Sequence, residues 1–560
     1  MSTELVAVAC IAWYIFIACV CAIGYVNLFL YYRHASDRAA VLSKEKKDIP
    51  HVTVIRPCKG LEPYLYECLA STFLQDYPVD KITVHFCVSS RSDAACPIIE
   101  KVVGDYPNHD ARMFVEEDDN VAELGSHKDL LGPNPKIRNM SRAYHEAKSD
   151  LIWIIDCNIW VGKGVCGRMV DTLCGFTTRG APAKPYKLVH HLPISVDVNT
   201  YLGRRRNSTS SYDETSPAPL LSDILSRTFS LFDQYGSRLE ELFLSSSHAK
   251  MYVAINTVAA APCIVGKSNM FRRSHLDYLT MQRAVNEDPT SPLLGRTGID
   301  YFSRNICEDH LIGDLLWKSK LPPLPGFPRT MRNHGLVFGD LAVQPVAGMT
   351  VTDYVARRVR WLRVRKFTVP VATLVEPGTE SFLCSAFGAF GVTTCQSTRG
   401  MLGDTWNWLY FWWAVSLVLW ASVDWTVYLL LHSGRTIETD TNDVPEFARP
   451  RTRRFSRRPF TAWLSSWVGR EVLAFPIWMW AIWGGASVTW RDRRFWVGMD
   501  MKVHEISETN RASTRANESG RAVVGDVGSR TGLANGHAFA FIASPSEDAN
   551  SRLTAKKRTD

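Results

Sequence analysis

The chain has 560 residues, of which 46% are hydrophobic and 21% charged, and its formal net charge is +8. That length excludes a single small core and leaves room for one catalytic-sized domain plus membrane segments and tails. The basic residues cluster in 204–206 (RRR), 357–366 (RRVRWLRVRK) and 451–458 (RTRRFSRR), a pattern that suits an anionic membrane surface, and no nucleic-acid partner is expected. The 14 cysteines show neither CxxC nor zinc-like spacing, which excludes a disulfide scaffold and reads as reduced thiols.

The first element, 5–32 (LVAVACIAWYIFIACVCAIGYVNLFLYY), is uncharged over more than the about 20 residues needed to cross a bilayer. It lacks the charged start and small-residue cleavage site of a signal peptide, so residues 1–32 are expected to remain as an anchor. Only Glu4 precedes it, whereas Arg33, Arg38, Lys44, Lys46 and Lys47 follow, which places residue 33 onward in the cytosol.

Residues 33–375 read as one cytosolic α/β domain. Buried strands are expected at 52–57 (VTVIRP), 82–90 (ITVHFCVSS), 151–157 (LIWIIDC) and 187–196 (KLVHHLPISV). Helical spacing of apolar residues at 63–75 and 137–149 makes these βαβ units of a doubly wound, largely parallel sheet, which binds ligands at its strand C-termini. The Ser/Thr/Pro-rich stretch 200–225 reads as a flexible insertion. Its sequon Asn207-Ser208-Thr209 would go unused in the cytosol, and phosphorylation of the loop is the alternative.

A C-terminal membrane region is expected over 376–500. The clearest span is 406–431, with Asp424 as its only charge. The shorter 381–395 is counted as a span because it returns residues 432–458, with their seven arginines, to the cytosol. Residues 460–490 contain Arg470, Glu471 and Pro476 and read either as an interfacial helix leading into a last span over 472–489 or as a re-entrant pair. Residues 501–560 are polar and patternless, the composition of a disordered tail.

Three carboxylates stand where chemistry is plausible. Asp156 ends the apolar run LIWII, where an acid is costly unless a metal ion or donor satisfies it, although a turn cap explains it equally well. Asp93 lies in the polar stretch after the second strand, and an ordinary loop is its simpler reading. Glu308 and Asp309 precede the helical pattern HLIGDLLW, where first-turn acids are favoured by the helix dipole alone. Arg357, Arg360 and Trp361 offer forked donors for phosphate beside an aromatic, or a snorkelling basic helix. Lys59 and Lys136 stand after a strand and before a helix, within reach of a diphosphate or simply in solvent.

Taken in order, 54–71 (VIRPCKGLEPYLYECLAS), 105–115, 134–140 (NPKIRNM), 149–161 (SDLIWIIDCNIWV), 189–193 (VHHLP), 308–311 (EDHL) and 357–361 (RRVRW) resemble the ceramide glucosyltransferases of glycosyltransferase family 21, and more distantly the processive family 2 synthases. Residues 470–471 (RE) and 490–491 (WR) resemble the family's C-terminal membrane segment. The family's three aspartates fall on Asp93, Asp156 and Asp309, and its (Q/R)xxRW motif on Arg357, Arg360 and Trp361. The family's VHGLP is VHHLP here, which keeps His190 and adds His191. The 200–225 insertion and the long tail have no counterpart in animal members and suggest a fungal-type enzyme.

The resemblance implies a GT-A type domain at the Golgi or ER membrane that transfers glucose from UDP-glucose to ceramide with inversion. In that reading Asp309 is the base, with Glu308 in reserve. Mg²⁺ or Mn²⁺ sits at Asp156, and Arg357 and Arg360 take the leaving diphosphate while Trp361 packs beside it. Pro57, Lys59 and Asp93 lie near the nucleotide and Lys136 near its phosphates. His190 and His248 are placed near the acceptor's mouth, which the segments around 369–396 line. The rivals are a processive polysaccharide synthase and a membrane protein that binds nucleotide sugars without catalysis.

Overall fold

The computed structural model describes residues 2–120, 131–178, 182–199, 235–287, 297–321, 330–438, 443–450, 458–490 and 493–506. The insertion at 200–225 and the tail from 507 onward lie outside them.

Seven strands form one mixed sheet in the order β3-β2-β1-β4-β6-β5-β7. They are β1 Val52–Pro57, β2 Ile82–Val88, β3 Asp110–Val115, β4 Leu151–Ile155, β5 Tyr186–Asp197, β6 Ser268–Arg272 and β7 Arg332–Val346. The pairs β1/β2, β2/β3, β1/β4 and β5/β7 are parallel, and β6 alone runs against both its neighbours, β4 and β5. Helices cover both faces, so β1, β2 and β4 are buried along their whole length, which is why they read as unbroken apolar runs rather than alternating ones. This is the largely parallel α/β arrangement expected. β1 is flanked by β2 on one side and β4 on the other, so the chain order reverses there, and the ends of β1 and β4 border the crevice where such sheets bind ligands.

Two helices begin at this edge for local reasons. In α4 (Pro135–His145) the Asn134 side chain accepts hydrogen bonds from the N–H groups of Lys136 at 2.8 Å and Ile137 at 3.1 Å, and Pro135 supplies a preset first-turn angle. The other is α9 (Glu308–Lys318), with two acids in its first turn. The remaining helices of the domain are α1 Ser2–Tyr31, α2 Leu65–Ala70, α3 Cys96–Asp105, α5 Val165–Cys174, α6 Tyr235–Leu244, α7 Ser247–Val258 and α8 Arg273–Glu287. The expected helix at 63–75 is thus shortened to α2, which starts after Tyr64 in a left-handed conformation, φ 55°.

Helix α1 and the helix α13 (Trp406–Leu431) are the two described helices long and apolar enough to cross a membrane. Helix α7 lies against α1 so closely that a Cβ at Gly24 would stand 2.0 Å from the Lys250 carbonyl oxygen. Lys250 in turn pairs with Asp424 of α13 at 2.5 Å, with both side chains buried, which ties the sheet domain to the long helix.

The C-terminal region departs from the sequence reading in two places. The stretch counted as a span, 381–395, forms α12 (Ser381–Thr394), and 14 residues of helix reach only about 21 Å, short of the about 30 Å of a hydrocarbon core. It runs along the first half of α1, starting level with Trp13, whose indole N–H donates to the Gly378 carbonyl at 2.7 Å, and ending at Gln396 beside Glu4. Close approach at Gly388 and Gly391 makes that packing possible.

Residues 460–490 hold no last span over 472–489. One helix, α14 (Phe460–Trp483), packs along α6 and along α10 (Val351–Thr368), both of the catalytic domain. Gly484 and Gly485 then end it, the latter at φ 100°, and the two-residue alternation that follows makes a small antiparallel sheet of β8 Ser487–Trp490, β9 Arg493–Val497 and β10 Val503–Glu505. Trp490 therefore belongs to a strand and not to a membrane segment. The sheet docks on the chain just before α9: the Val503 N–H donates to Arg304 at 2.7 Å, and Phe495 and Val503 pack with Cys307 and Val364.

Candidate active site

The ends of β4, α4, α9 and β6 bring five charged side chains together. Lys136 stands 3.1 Å from Asp156 and 3.3 Å from Glu308. Lys267, the residue before β6, meets the other oxygen of Asp156 at 3.1 Å, and its carbonyl accepts the Asp156 N–H at 3.1 Å. Asp309 completes the group: its carboxylate lies over Gly266, where a Cβ would come within 2.4 Å of Oδ2 and 2.8 Å of Cγ. A side chain at 266 would thus displace Asp309.

The electrostatics follow from this crowding. Burial alone would raise the Asp156 carboxyl, but the ammonium groups of Lys136 and Lys267 outweigh it and hold the group well below the usual carboxylate range. Burial likewise works against the charge on Lys136, and Asp156, Glu308 and Asp309 together hold it above the usual lysine range. Burial raises the Glu308 carboxyl against the pull of Lys136. The Asn134 amide donates to Glu308 at 3.1 Å and also reaches the Asn305 carbonyl, so the cap of α4 locks the first turn of α9.

Asp93 has a definite task. Its Oδ1 accepts the N–H groups of Gly60 at 2.8 Å and Ala95 at 2.9 Å, joining the loops that leave β1 and β2. Pro57 ends β1, buried, and Lys59 follows it, half-buried. A recess of about 600 Å³ opens beside these loops, lined among others by Ser89, Ser90, Pro133 and Arg138, with Arg493 of β9 on its rim. A larger cavity of about 940 Å³ lies at the starting ends of β5 and β7, lined by Tyr31, Tyr186 and Arg332, and holds none of the carboxylates above.

Helix α10 carries Arg357, Arg360 and Trp361. Arg357 pairs with buried Glu240 at 3.0 Å and lies 4.9 Å from the Trp361 ring centre. Burial first, then the like charge of Arg357, lower the Arg360 guanidinium to about 10. Trp361 touches Phe243, which stacks in turn toward His248 at 5.4 Å. His190 is fully enclosed, its Nδ1 2.6 Å from the Tyr252 hydroxyl and its ring stacked 5.6 Å from His334. A side chain so enclosed lines no open mouth, so His190 is a core residue, whereas His248 is half-buried between the rings of Phe243 and Tyr252.

Sequence reasoning missed Lys267 and Arg56. Arg56 is 0% exposed in β1 and holds the carbonyls of Cys68 at 2.8 Å, Ile159 at 2.9 Å and Asp156 at 3.1 Å, which fixes the Asp156 turn to the floor of the site. An arginine in the middle of an apolar strand was the available signal, because a buried guanidinium must be satisfied. Lys267 carries no comparable pattern.

Among the described residues no three His, Cys, Asp or Glu side chains gather as a metal site. Asp156 is nevertheless a suitable single ligand for a hard divalent ion that takes its other oxygens from substrate phosphates and water. The buried amide oxygen of Asn158, two residues on, has no partner.

A switch-point crevice with a lysine-bridged carboxylate cluster and an acid at a helix start, in a chain with two helices long and apolar enough to cross a membrane, is the arrangement of a glycosyltransferase. The family model "Glycosyl transferase family 21" matches residues 14–204 and 329–503, and the chain belongs to that family. It is 48% identical to a ceramide glucosyltransferase of Pyricularia oryzae, over 91% of this chain and 97% of that one, and 32% identical to one of Komagataella phaffii, over 90% and 92%. Among solved structures, the mannosyltransferase PcManGT of Pyrobaculum calidifontis aligns with 76% of this chain and 99% of its own at 14% identity, TM-score 0.34.

Proposed function

We propose that this enzyme transfers glucose from UDP-glucose to the primary hydroxyl of ceramide, giving β-glucosylceramide, at the cytosolic face of a Golgi or ER membrane that the chain crosses more than once. The observation that carries the reading is Asp309 at the start of α9, lying over Gly266 beside the Lys136–Asp156 pair. Asp309 would take the proton of the lipid hydroxyl as its oxygen attacks the anomeric carbon from the face opposite the diphosphate, so that the carbon–oxygen bond to UDP breaks with inversion. Lys136, Arg357 and Arg360 would receive the charge that develops on the departing diphosphate. A divalent ion, Mg²⁺ or Mn²⁺, held by Asp156 would supply further neutralisation of that charge. The nucleotide would lie over the ends of β1 and β2, near Pro57, Lys59 and Asp93.

Two features support a membrane-bound acceptor. Helix α11 (Pro370–Val375) directly follows α10 and exposes Val371 and Leu374, an apolar surface. The fungal relatives' name, ceramide glucosyltransferase, supports the acceptor itself. The test is an assay of membranes containing the full chain with UDP-glucose or UDP-galactose and a short-chain ceramide. Glucosylceramide formed preferentially from UDP-glucose is the expected result, and absence of any glycosylceramide would overturn the reading.

A further inference from the structure

Glu240 and Glu241 stand side by side on α6, 0% and 1% exposed, and serve different partners. Glu241 accepts the Asp197 N–H at 3.0 Å and pairs with Arg458 at 2.7 Å, so it fastens α6 to the end of β5. Glu240 turns the other way, to Arg357 of α10 at 3.0 Å. That approach is too oblique for a hydrogen bond, and among the described residues neither Glu240 oxygen has one from another group. A carboxylate so enclosed is costly without a counter-charge, and Arg357 stands where that counter-charge is needed.

The charges on α10 do not cancel. Arg358 and Arg365 both pair with Glu376, at 3.2 and 3.0 Å. Arg363 donates to the carbonyls of Ser487 and Gly484, each at 2.6 Å. Arg360, one helical turn after Arg357, has no ion pair among the described residues, and Glu240 is the carboxylate that acts on it. One buried acid therefore faces two guanidinium groups.

We infer that Glu240 is a positioning residue: it holds the Arg357 guanidinium in place on α10, beside Trp361, while leaving one positive charge of the Arg357–Arg360 pair for the diphosphate of a nucleotide sugar. The inference rests on the nucleotide-sugar reading above. Full neutralisation by a second acid would remove the attraction for phosphate, and no acid at all would let the two like charges push Arg357 away from Arg360.

The test uses the purified full-length chain in detergent, with radiolabelled UDP as the probe and size-exclusion behaviour as the check on folding. E240Q, isosteric and neutral, should bind UDP about tenfold more weakly, as should R357Q, because each loses one charge-assisted contact. If Glu240 acts through Arg357, E240Q/R357Q binds UDP no more weakly than R357Q alone. Parent-like UDP binding by folded E240Q, or losses that multiply in the double variant, would overturn the inference. Should E240Q alone not fold, E240D takes its place: it keeps the buried charge but draws the carboxylate back from Arg357, so weaker UDP binding than the parent's is expected and parent-like binding overturns the inference. Failure of the parent itself to bind UDP would instead overturn the functional reading and the inference with it.

Discussion

Lys136 and Asp156 lie 3.1 Å apart across the crevice between α4 and β4, and the same ammonium stands 3.3 Å from Glu308. One cation thus links the carboxylate at the end of β4 to the first turn of α9. Replacing Lys136 by Met leaves Asp156 with Lys267 alone and takes from buried Glu308 its ion pair. K136M is expected to lose transfer activity at least about a hundredfold and stability by about 3–5 kcal/mol, the cost of a buried charge left unpaired. Transfer assays and thermal unfolding in detergent check both, and K136M/E308Q, which removes the acid left without a cation, should recover stability while staying inactive.

Gly266 offers a milder perturbation. A methyl group there would meet the Asp309 carboxylate at 2.4–2.8 Å, so G266A must displace the acid by about an ångström while leaving its chemistry intact. A shift of that size costs roughly a hundredfold in rate. The expected outcome is a fall in kcat with UDP affinity and fold unchanged, read by steady-state kinetics alongside UDP binding.

The buried histidines make stability depend on pH. Burial lowers His191 to about 3 and His334 to about 4, so both are neutral in the folded enzyme while the unfolded chain binds protons near pH 6.5. Below that value the unfolded state takes up more protons than the folded one, so stability is fully present above pH 6.5 and falls as pH drops toward 4. Each histidine contributes about 1.4 kcal/mol per pH unit in that window. Thermal midpoints measured from pH 7.5 to 5 should decline, and H191Q/H334Q should flatten the decline.

How much of this was legible in sequence depended on what each residue had to do. β1, β2 and β4 announced themselves because a strand covered on both faces is rich in β-branched and apolar residues along its whole length. β6 (SNMFR) is five residues with polar ends, and its antiparallel placement between β4 and β5 is a tertiary fact. Lys267 was hidden for the same reason, since only that reversed strand delivers it to Asp156. Asp309 and Arg357 were found through motif order, but Glu240, in an unremarkable LEELF, became visible only when α6 was seen against α10. The stretch 472–489 misled because the apolar half of α14 that packs on the α/β domain, run on into β8, has nearly the same composition as a span.

The account turns on Asp309 as the base at the lipid hydroxyl, and D309N tests it directly. Membranes holding equal amounts of parent and D309N protein would be compared for glucose transfer from UDP-glucose to a short-chain ceramide, with UDP binding measured on the same samples. The account predicts retained UDP binding and a loss of transfer of about a thousandfold or more in D309N, in line with removal of a general base. Transfer by D309N at the parent's rate would contradict it and pass the role of base to Glu308.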